Sequence, residues 1–255
     1  MEVQAEHSNP RLFRVLSVTL HAVGAVHFWY GCYYDWFHVI VPPQVLPIFS
    51  AYGYKLKFLT YWDAILQAVY FSVCVVNDVA GSYDKVTKER TKLCKVKEFM
   101  MAAFAFPLAM FVGVTFWGLM AVDRELVLPR VLDAYFPSWL NHVMHTNIIV
   151  FQLLEMATSS RKYPKRKYGL SALFLFQATY LSWMHVVYYK SGLWVYPIFN
   201  VLNIPQRMLF FVGSFATGYV FYYIGEKLNR LLWGESRIHR SEFAPQFESR
   251  RMRLL

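Results

Sequence analysis

Six long apolar stretches constrain the fold of this 255-residue chain more than any other feature of its sequence. Each is close to the roughly 20 apolar residues that a helix needs to cross a bilayer. Hydrophobic residues make up 56% of the chain and charged residues only 16%, whereas soluble domains usually have about a quarter charged residues. We therefore predict an all-α polytopic membrane protein with six transmembrane helices, at 12–34, 58–80, 99–121, 139–158, 169–189 and 207–232.

The basic residues lie mostly on one side of these helices. Of the 26 Lys and Arg residues, 20 fall in the two termini and the second and fourth connections, and 6 fall on the other side. Basic residues accumulate on the cytosolic side of membrane proteins. We therefore predict cytosolic termini, a transmembrane domain at 1–233 and a basic cytosolic tail at 234–255. Because the net charge of +10 is divided between short connections, we predict no nucleic-acid partner.

Two polar residues from different predicted helices fall at the same depth near the outer side. Thr60 lies about one turn into the second helix, and His145 lies about 9 Å below the start of the fourth, at 1.5 Å per residue. Polar side chains within a membrane are costly unless they are paired or functional. The inner half of the predicted bundle has fewer of them. Four further candidates lie near the outer end: Asp63, Asn141, His142 and His185.

Each of these residues also has an ordinary structural interpretation. Thr60-x-x-Asp63 before an apolar run is a capping-box pattern, in which the threonine would only begin a helix. His142-x-x-His145 has the spacing of two metal ligands, but a metal site needs further acidic, thiolate or histidine ligands. We therefore predict no metal and no other cofactor.

Five sequence segments resemble the family of androgen-induced and androgen-dependent membrane proteins, whose members hydrolyse fatty-acid esters of hydroxy fatty acids. The segments occur in order and span most of residues 57–232, while the first helix and the tail match poorly. They are KFLT (57–60), QAVYFSVCVVND (67–78), AFPLAMFVGVTFW (105–117), DRELVLPRVLDAYFPSWLNHVMHT (123–146) and GLWVYP (192–197).

The resemblance implies a threonine nucleophile in KFLT and a catalytic histidine at the second position of HxxH, which are Thr60 and His145 here. It also implies a lipid ester substrate. Backbone N–H groups at the start of the second helix, Asn141 or a Trp indole are candidate oxyanion donors. Asp63 and His142 are candidates for orienting the base.

Two other functions fit the same residues. A non-enzymatic lipid-binding or regulatory membrane protein would use Thr60 and His145 only to cap and pair helices. A small transporter or channel would use the polar residues as a pathway, which the lower polar density at the cytosolic end disfavours. The plasma membrane and the endoplasmic reticulum are both compatible locations, and the oligomeric state stays open.

Overall fold

A computed structural model describes residues 10–82 and 89–251 of the chain. These residues form a bundle built from six helical runs, which we number α1 to α6. Their bounds are Pro10–His38, Leu59–Ala80, Lys92–Val122, 138–158, Arg166–Ser191 and Ile204–Arg251.

The prediction of an all-α membrane protein is confirmed by these helices. Five of them, α1, α2, α3, α5 and the Ile204–Gly234 part of α6, are long and apolar enough to cross a membrane. The fourth predicted span is present as α4, but its amide, imidazole and carboxylate side chains make it too polar to meet the same criterion. The count of six spans and the cytosolic termini therefore stay predictions. The last helix continues to Arg251, past its predicted end at 232.

Helix α3 lies at the centre of the bundle. In the most apolar 18-residue segment of α3, 72% of the residues are buried, whereas the figure for α6 is 17%. Helix α6 therefore lies at the periphery. Small residues such as Ala102 and Ala103 allow neighbouring helices to approach it closely. A π-helical turn at Met101–Ala105 ends two residues before Pro107. Because proline clashes with the carbonyl four residues before it, the wider turn relieves that conflict.

A second π-helical turn, Val143–Asn147, interrupts α4 where it crosses α3. The two helices touch through Gly113 of α3. A Cβ atom at this position would lie 2.6 Å from the carbonyl oxygen of His145 and 2.4 Å from Ile149 Cδ1. The missing side chain of Gly113 therefore allows the turn that carries His145 to pack directly on the α3 backbone.

The connections 39–58, 123–137 and 192–203 gather at one end of the bundle, which we call the outer end because the charge distribution predicts it to be non-cytosolic. Lys57 holds the first connection in place by donating hydrogen bonds to the carbonyl oxygens of Phe49 and Ala51, each at 3.2 Å. Burial, with a smaller contribution from neighbouring Lys55, lowers the pKa of Lys57 to about 8. This buried lysine therefore ties the connection to the beginning of α2.

We expect Gly113→Ala to destabilise the protein and Gly118→Ala to leave it unchanged or slightly more stable. The new methyl group at Gly113 would collide with the backbone of His145, and overpacking of this kind costs about 1–3 kcal/mol. Gly118 lies on the same helix, and a Cβ atom there would meet no atom within 4 Å. Thermal unfolding of both variants in detergent tests the contact. Equal midpoints would show that α3 and α4 do not depend on this glycine for their approach.

Candidate active site

The structure brings Thr60 of α2 and His145 of α4 together. Thr60 Oγ1 lies 3.3 Å from His145 Nε2, although 85 residues separate them in sequence. His145 is buried, and Thr60 is partly buried. A hydroxyl beside an imidazole is the pairing that activates serine or threonine as a nucleophile.

The imidazole of His145 is held in one orientation by its neighbours. Its Nδ1 atom lies 3.0 Å from the backbone carbonyl oxygen of Asn141 and 2.8 Å from the side-chain Oδ1 of the same residue. Because a carbonyl oxygen can only accept, Nδ1 carries the proton and Nε2 presents its lone pair to Thr60. The ring also stacks on Phe116, with 3.5 Å between centroids and 12° between planes. Asn141 therefore occupies the position of the base-orienting residue.

Thr60 lies in the first turn of α2 and does not cap it. The helix begins at Leu59 with Phe58 as its N-cap residue, so the capping-box interpretation of Thr60 and Asp63 is wrong. The Asp63 carboxylate accepts a hydrogen bond from Gln67 Nε2 at 2.9 Å. It makes no hydrogen bond to His145 among the contacts of the described chain, so this structure gives the orientation of the base to Asn141.

Two tyrosine hydroxyls replace the missing side-chain cap of α2. The N–H of Leu59 lies 3.0 Å from the hydroxyl oxygen of Tyr180 and 2.8 Å from that of Tyr196. The Tyr180 hydroxyl is 3.0 Å from the carbonyl oxygen of Lys57. The backbone N–H of Leu59 is therefore already bonded, which removes it from the candidate oxyanion donors.

Two cavities meet at Thr60. The inner cavity, of about 120 Å³, lies between α3, α5 and α6 and is lined mainly by apolar side chains. The outer cavity, of about 100 Å³, lies among the connections at the outer end. Their linings share four residues: Thr60, Phe116, Val127 and Tyr196.

Two of the predicted supporting residues lie away from this pair. His142 is exposed, and its Nδ1 atom lies 3.0 Å from Thr146 Oγ1. His185 is exposed on α5, where its Nδ1 atom bonds to the carbonyl oxygen of Leu181 at 2.8 Å. Since the nitrogens of His142 and His145 have different partners, the HxxH sequence does not form a two-histidine metal site here.

A buried ionic network joins α1, α2 and α4 at the opposite, inner end. His21 Nδ1 lies 2.5 Å from an Asp78 carboxylate oxygen, and His21 Nε2 lies 2.8 Å from Glu155 Oε2. The other oxygen of Glu155, Oε1, accepts a hydrogen bond from the Tyr70 hydroxyl at 2.9 Å and lies 3.6 Å from Arg161 Nη2. Each buried charge therefore has an opposite charge beside it, the condition for its tolerance in a protein interior.

Possible metal-ligand atoms also converge at this network. In the described ranges, His21, Cys74 and Glu155 form one group whose ligand atoms lie within 4.8 Å of one another. Both nitrogens of His21 already face carboxylates at hydrogen-bond distance. A protonated imidazole bridging two carboxylates satisfies this geometry without an ion.

Polar residues continue between the two ends, contrary to the expectation that they thin out toward the inner side. Gln67 donates to Asp63 and to the carbonyl oxygen of Ala105, and Gln152 donates to Gln67 at 2.6 Å. Gln67, Gln152 and Asp63 are fully buried. The residues form a column of side chains bonded to one another, which is a packed network and not an open pathway.

The fold and this site define a class: an all-α membrane protein with a partly buried threonine–histidine pair between two cavities. The family model for FAR-17a/AIG1-like proteins matches residues 16–230, and the chain belongs to this family.

Named relatives agree with this assignment. The chain is 37% identical to the human androgen-induced gene 1 protein over 194 residues, which cover 74% of this chain and 82% of the relative. It is 34% identical to the human androgen-dependent TFPI-regulating protein over 194 residues, covering 76% and 84%. A UPF0641 membrane protein of Schizosaccharomyces pombe is 22% identical over 163 residues, covering 63% and 69%. No solved structure matches the chain.

We expect His21→Ala to lower stability by about 3–5 kcal/mol, because it removes the group that bridges Asp78 and the fully buried carboxylate of Glu155. His185→Ala is the matched control, since that side chain is exposed and its hydrogen bond is to its own helix. Its effect should stay within about 0.5 kcal/mol. Unfolding of the purified variants in detergent gives both values. A His21 variant as stable as the control would contradict the network's structural role.

Proposed function

We propose that this protein is an intramembrane carboxylic ester hydrolase that uses Thr60 as nucleophile and His145 as general base. The observation that carries this proposal is the 3.3 Å approach of Thr60 Oγ1 to the unprotonated nitrogen of His145 beside two cavities. The resemblance of KFLT and WLNHVMHT to the family's catalytic segments supports the same two residues.

The reaction proceeds through an acyl-threonine. Thr60 Oγ1 attacks the ester carbonyl carbon while its proton passes to His145 Nε2. The bond between the carbonyl carbon and the ester oxygen then breaks, and His145 returns the proton to the leaving alkoxide. Water attacks the carbonyl carbon of the acyl-threonine while His145 takes a proton from it. The bond between that carbon and Thr60 Oγ1 then breaks, the fatty acid leaves, and His145 gives the proton to Oγ1, which restores the Thr60 hydroxyl. Water is the only co-reactant, and no step requires a metal or a cofactor.

Asn141 takes the part that an aspartate plays in a serine-hydrolase triad. Its backbone and side-chain oxygens hold the Nδ1 proton of His145, which fixes the tautomer that presents Nε2 to Thr60. These oxygens carry no full negative charge, so they stabilise the imidazolium less than a carboxylate does. The proposed catalytic pair is therefore a Thr60–His145 dyad, and the neutral Asn141 orients its base.

The two cavities support a substrate with a hydrocarbon arm on each side of its ester. Thr60 lies on the wall common to both, so an ester carbonyl at its hydroxyl directs one arm into the inner cavity and the other into the outer cavity. A fatty-acid ester of a hydroxy fatty acid has this two-armed shape, and the family resemblance points to the same substrate. The more peripheral helices α5 and α6 border the inner cavity, which suits entry of a lipid from the bilayer.

We expect Thr60→Ala and His145→Ala each to reduce ester hydrolysis by at least about 10³-fold, as removal of either member of a nucleophile–base pair does in other hydrolases. Thr60→Ser should retain activity because it keeps the hydroxyl. Mass spectrometry of released fatty acids, with the purified protein in detergent, measures turnover. Labelling by a fluorophosphonate probe reports the nucleophile separately.

The matched controls are Thr179→Ala and His142→Ala. Thr179 is exposed on α5, where its hydroxyl donates to Leu175, and His142 is exposed three residues from His145. Both should hydrolyse at the rate of the unmodified protein. Probe labelling that survives in Thr60→Ala would place the nucleophile elsewhere. A folded protein that binds the ester but neither cleaves it nor reacts with the probe would support the lipid-binding alternative.

We expect Val112→Phe to shift substrate preference toward esters with one shorter arm. Val112 is buried on the wall of the inner cavity, so a larger side chain removes space that an acyl chain would occupy. Val114→Phe is the control, because Val114 lies two residues away on the same helix and is 50% exposed. Values of kcat/KM across a series of acyl lengths test this. Identical length profiles for the two variants would exclude the inner cavity as a chain site.

A further inference from the structure

Besides the proposed nucleophile Thr60, two tyrosine hydroxyls lie at the beginning of α2. The oxygen of Tyr196 accepts the N–H of Leu59, the residue before Thr60, at 2.8 Å. The Tyr180 oxygen accepts the same Leu59 N–H at 3.0 Å. Helix N-termini leave N–H groups without partners inside the helix, and phenol oxygens fill that role here.

The two tyrosines differ in whether their hydroxyl groups already donate a hydrogen bond. The Tyr180 hydroxyl is the donor in two contacts, to the carbonyl oxygen of Lys57 at 3.0 Å and to the Tyr196 oxygen at 3.2 Å. The Tyr196 oxygen accepts the backbone N–H of Leu59 and keeps a proton of its own. In the contacts of the described residues, the Tyr196 hydroxyl accepts from Leu59 and from Tyr180 and donates to neither. The Tyr196 proton is thus free to turn toward a better acceptor.

Tyr196 also lies where a reacting carbonyl has to be. It lines both the inner and the outer cavity, as Thr60 does, whereas Tyr180 lines only the inner one. An ester attacked by Thr60 Oγ1 places its carbonyl oxygen at the junction of the cavities, close to this hydroxyl.

We propose that Tyr196 is a further catalytic residue, whose hydroxyl donates the hydrogen bond that stabilises the oxyanion formed when Thr60 attacks the ester. This assignment rests on the proposed hydrolase function. During attack, the carbonyl π electrons move onto the oxygen, which Tyr196 stabilises without losing its proton. When the intermediate collapses, those electrons re-form the carbonyl and the hydrogen bond weakens again.

The surroundings of Tyr196 suit a neutral donor. Burial raises the pKa of Tyr196 above its ordinary value, so the phenol keeps its proton at neutral pH. The N–H of Leu59 points at the phenol oxygen and polarises the O–H bond, which strengthens it as a donor. Tyr180 acts as a positioning residue, because it fixes the carbonyl of Lys57 and the shared N–H of Leu59.

The test is Tyr196→Phe, which removes only the hydroxyl. We expect kcat for ester hydrolysis to fall by about 10²–10³-fold, the usual loss for one oxyanion donor, while KM changes only a few-fold. A trifluoromethyl ketone with a fatty chain, which forms a tetrahedral oxyanion on the nucleophile, should lose affinity by a similar factor. A purely structural role for Tyr196 would not move this inhibitor and kcat together.

Two further tyrosine variants serve as a control and as a comparison for Tyr196→Phe. Tyr222→Phe is the matched control, because Tyr222 is fully buried, its hydroxyl has no hydrogen-bond partner among the described residues, and it lies outside both cavity linings. It should keep the unmodified kcat. Tyr180→Phe should lose less activity than Tyr196→Phe, since the donating proton remains. If Tyr196→Phe does not fold, 3-fluorotyrosine at position 196 keeps the ring and makes the donor more acidic, and kcat must then change.

The outcomes distinguish the two proposals. Hydrolysis that depends on Thr60 but not on the Tyr196 hydroxyl would overturn the oxyanion assignment and leave the hydrolase proposal standing. Hydrolysis that is absent, or that survives in Thr60→Ala, would overturn both.

Discussion

The hydrogen bond between His145 and Asn141 is the interaction on which the proposed chemistry depends. It fixes the proton on Nδ1, and only then can Nε2 accept the proton of Thr60. Three structural features maintain this arrangement. The π-helical turn of α4 carries the histidine, Gly113 lets that turn contact α3, and Phe116 supports the ring. All three features depend on close packing, which is a main source of helix association in lipid.

The buried polar residues divide into two kinds with different consequences. At the inner end, His21 and its carboxylate partners bond to one another and hold α1, α2 and α4 together. At the outer end, Thr60 and Tyr196 adjoin cavities and retain hydroxyl groups that can interact with a ligand. In either case, burying polar groups in a membrane costs free energy. Only the second arrangement offers a bound lipid a reacting group, so the proposed chemistry lies there.

Much of the fold followed from hydrophobic length, and the depth argument placed Thr60 and His145 at one level. The charge asymmetry gave only the orientation in the membrane, which stays a prediction. The same argument applied to His21 and Glu155 could have indicated the inner network, since both lie a few turns or less from the predicted cytosolic side. The roles of Tyr180 and Tyr196 had no such signal, because aromatic residues make up 19% of the chain and many lie near helix ends. Their position at the start of α2 depends on contacts between segments that are distant in the sequence, so it could not be predicted from the sequence.

Trapping of the covalent intermediate tests the central claim most directly. Purified protein would be mixed with an ester that carries an isotopically labelled acyl group, quenched with acid within milliseconds to seconds, digested and analysed by mass spectrometry. The account predicts labelled acyl mass on the peptide that contains Thr60, at the threonine itself, and none when His145 is replaced by Ala. Acyl mass at another residue, or hydrolysis with no acyl-enzyme and water attacking the ester directly, would contradict it.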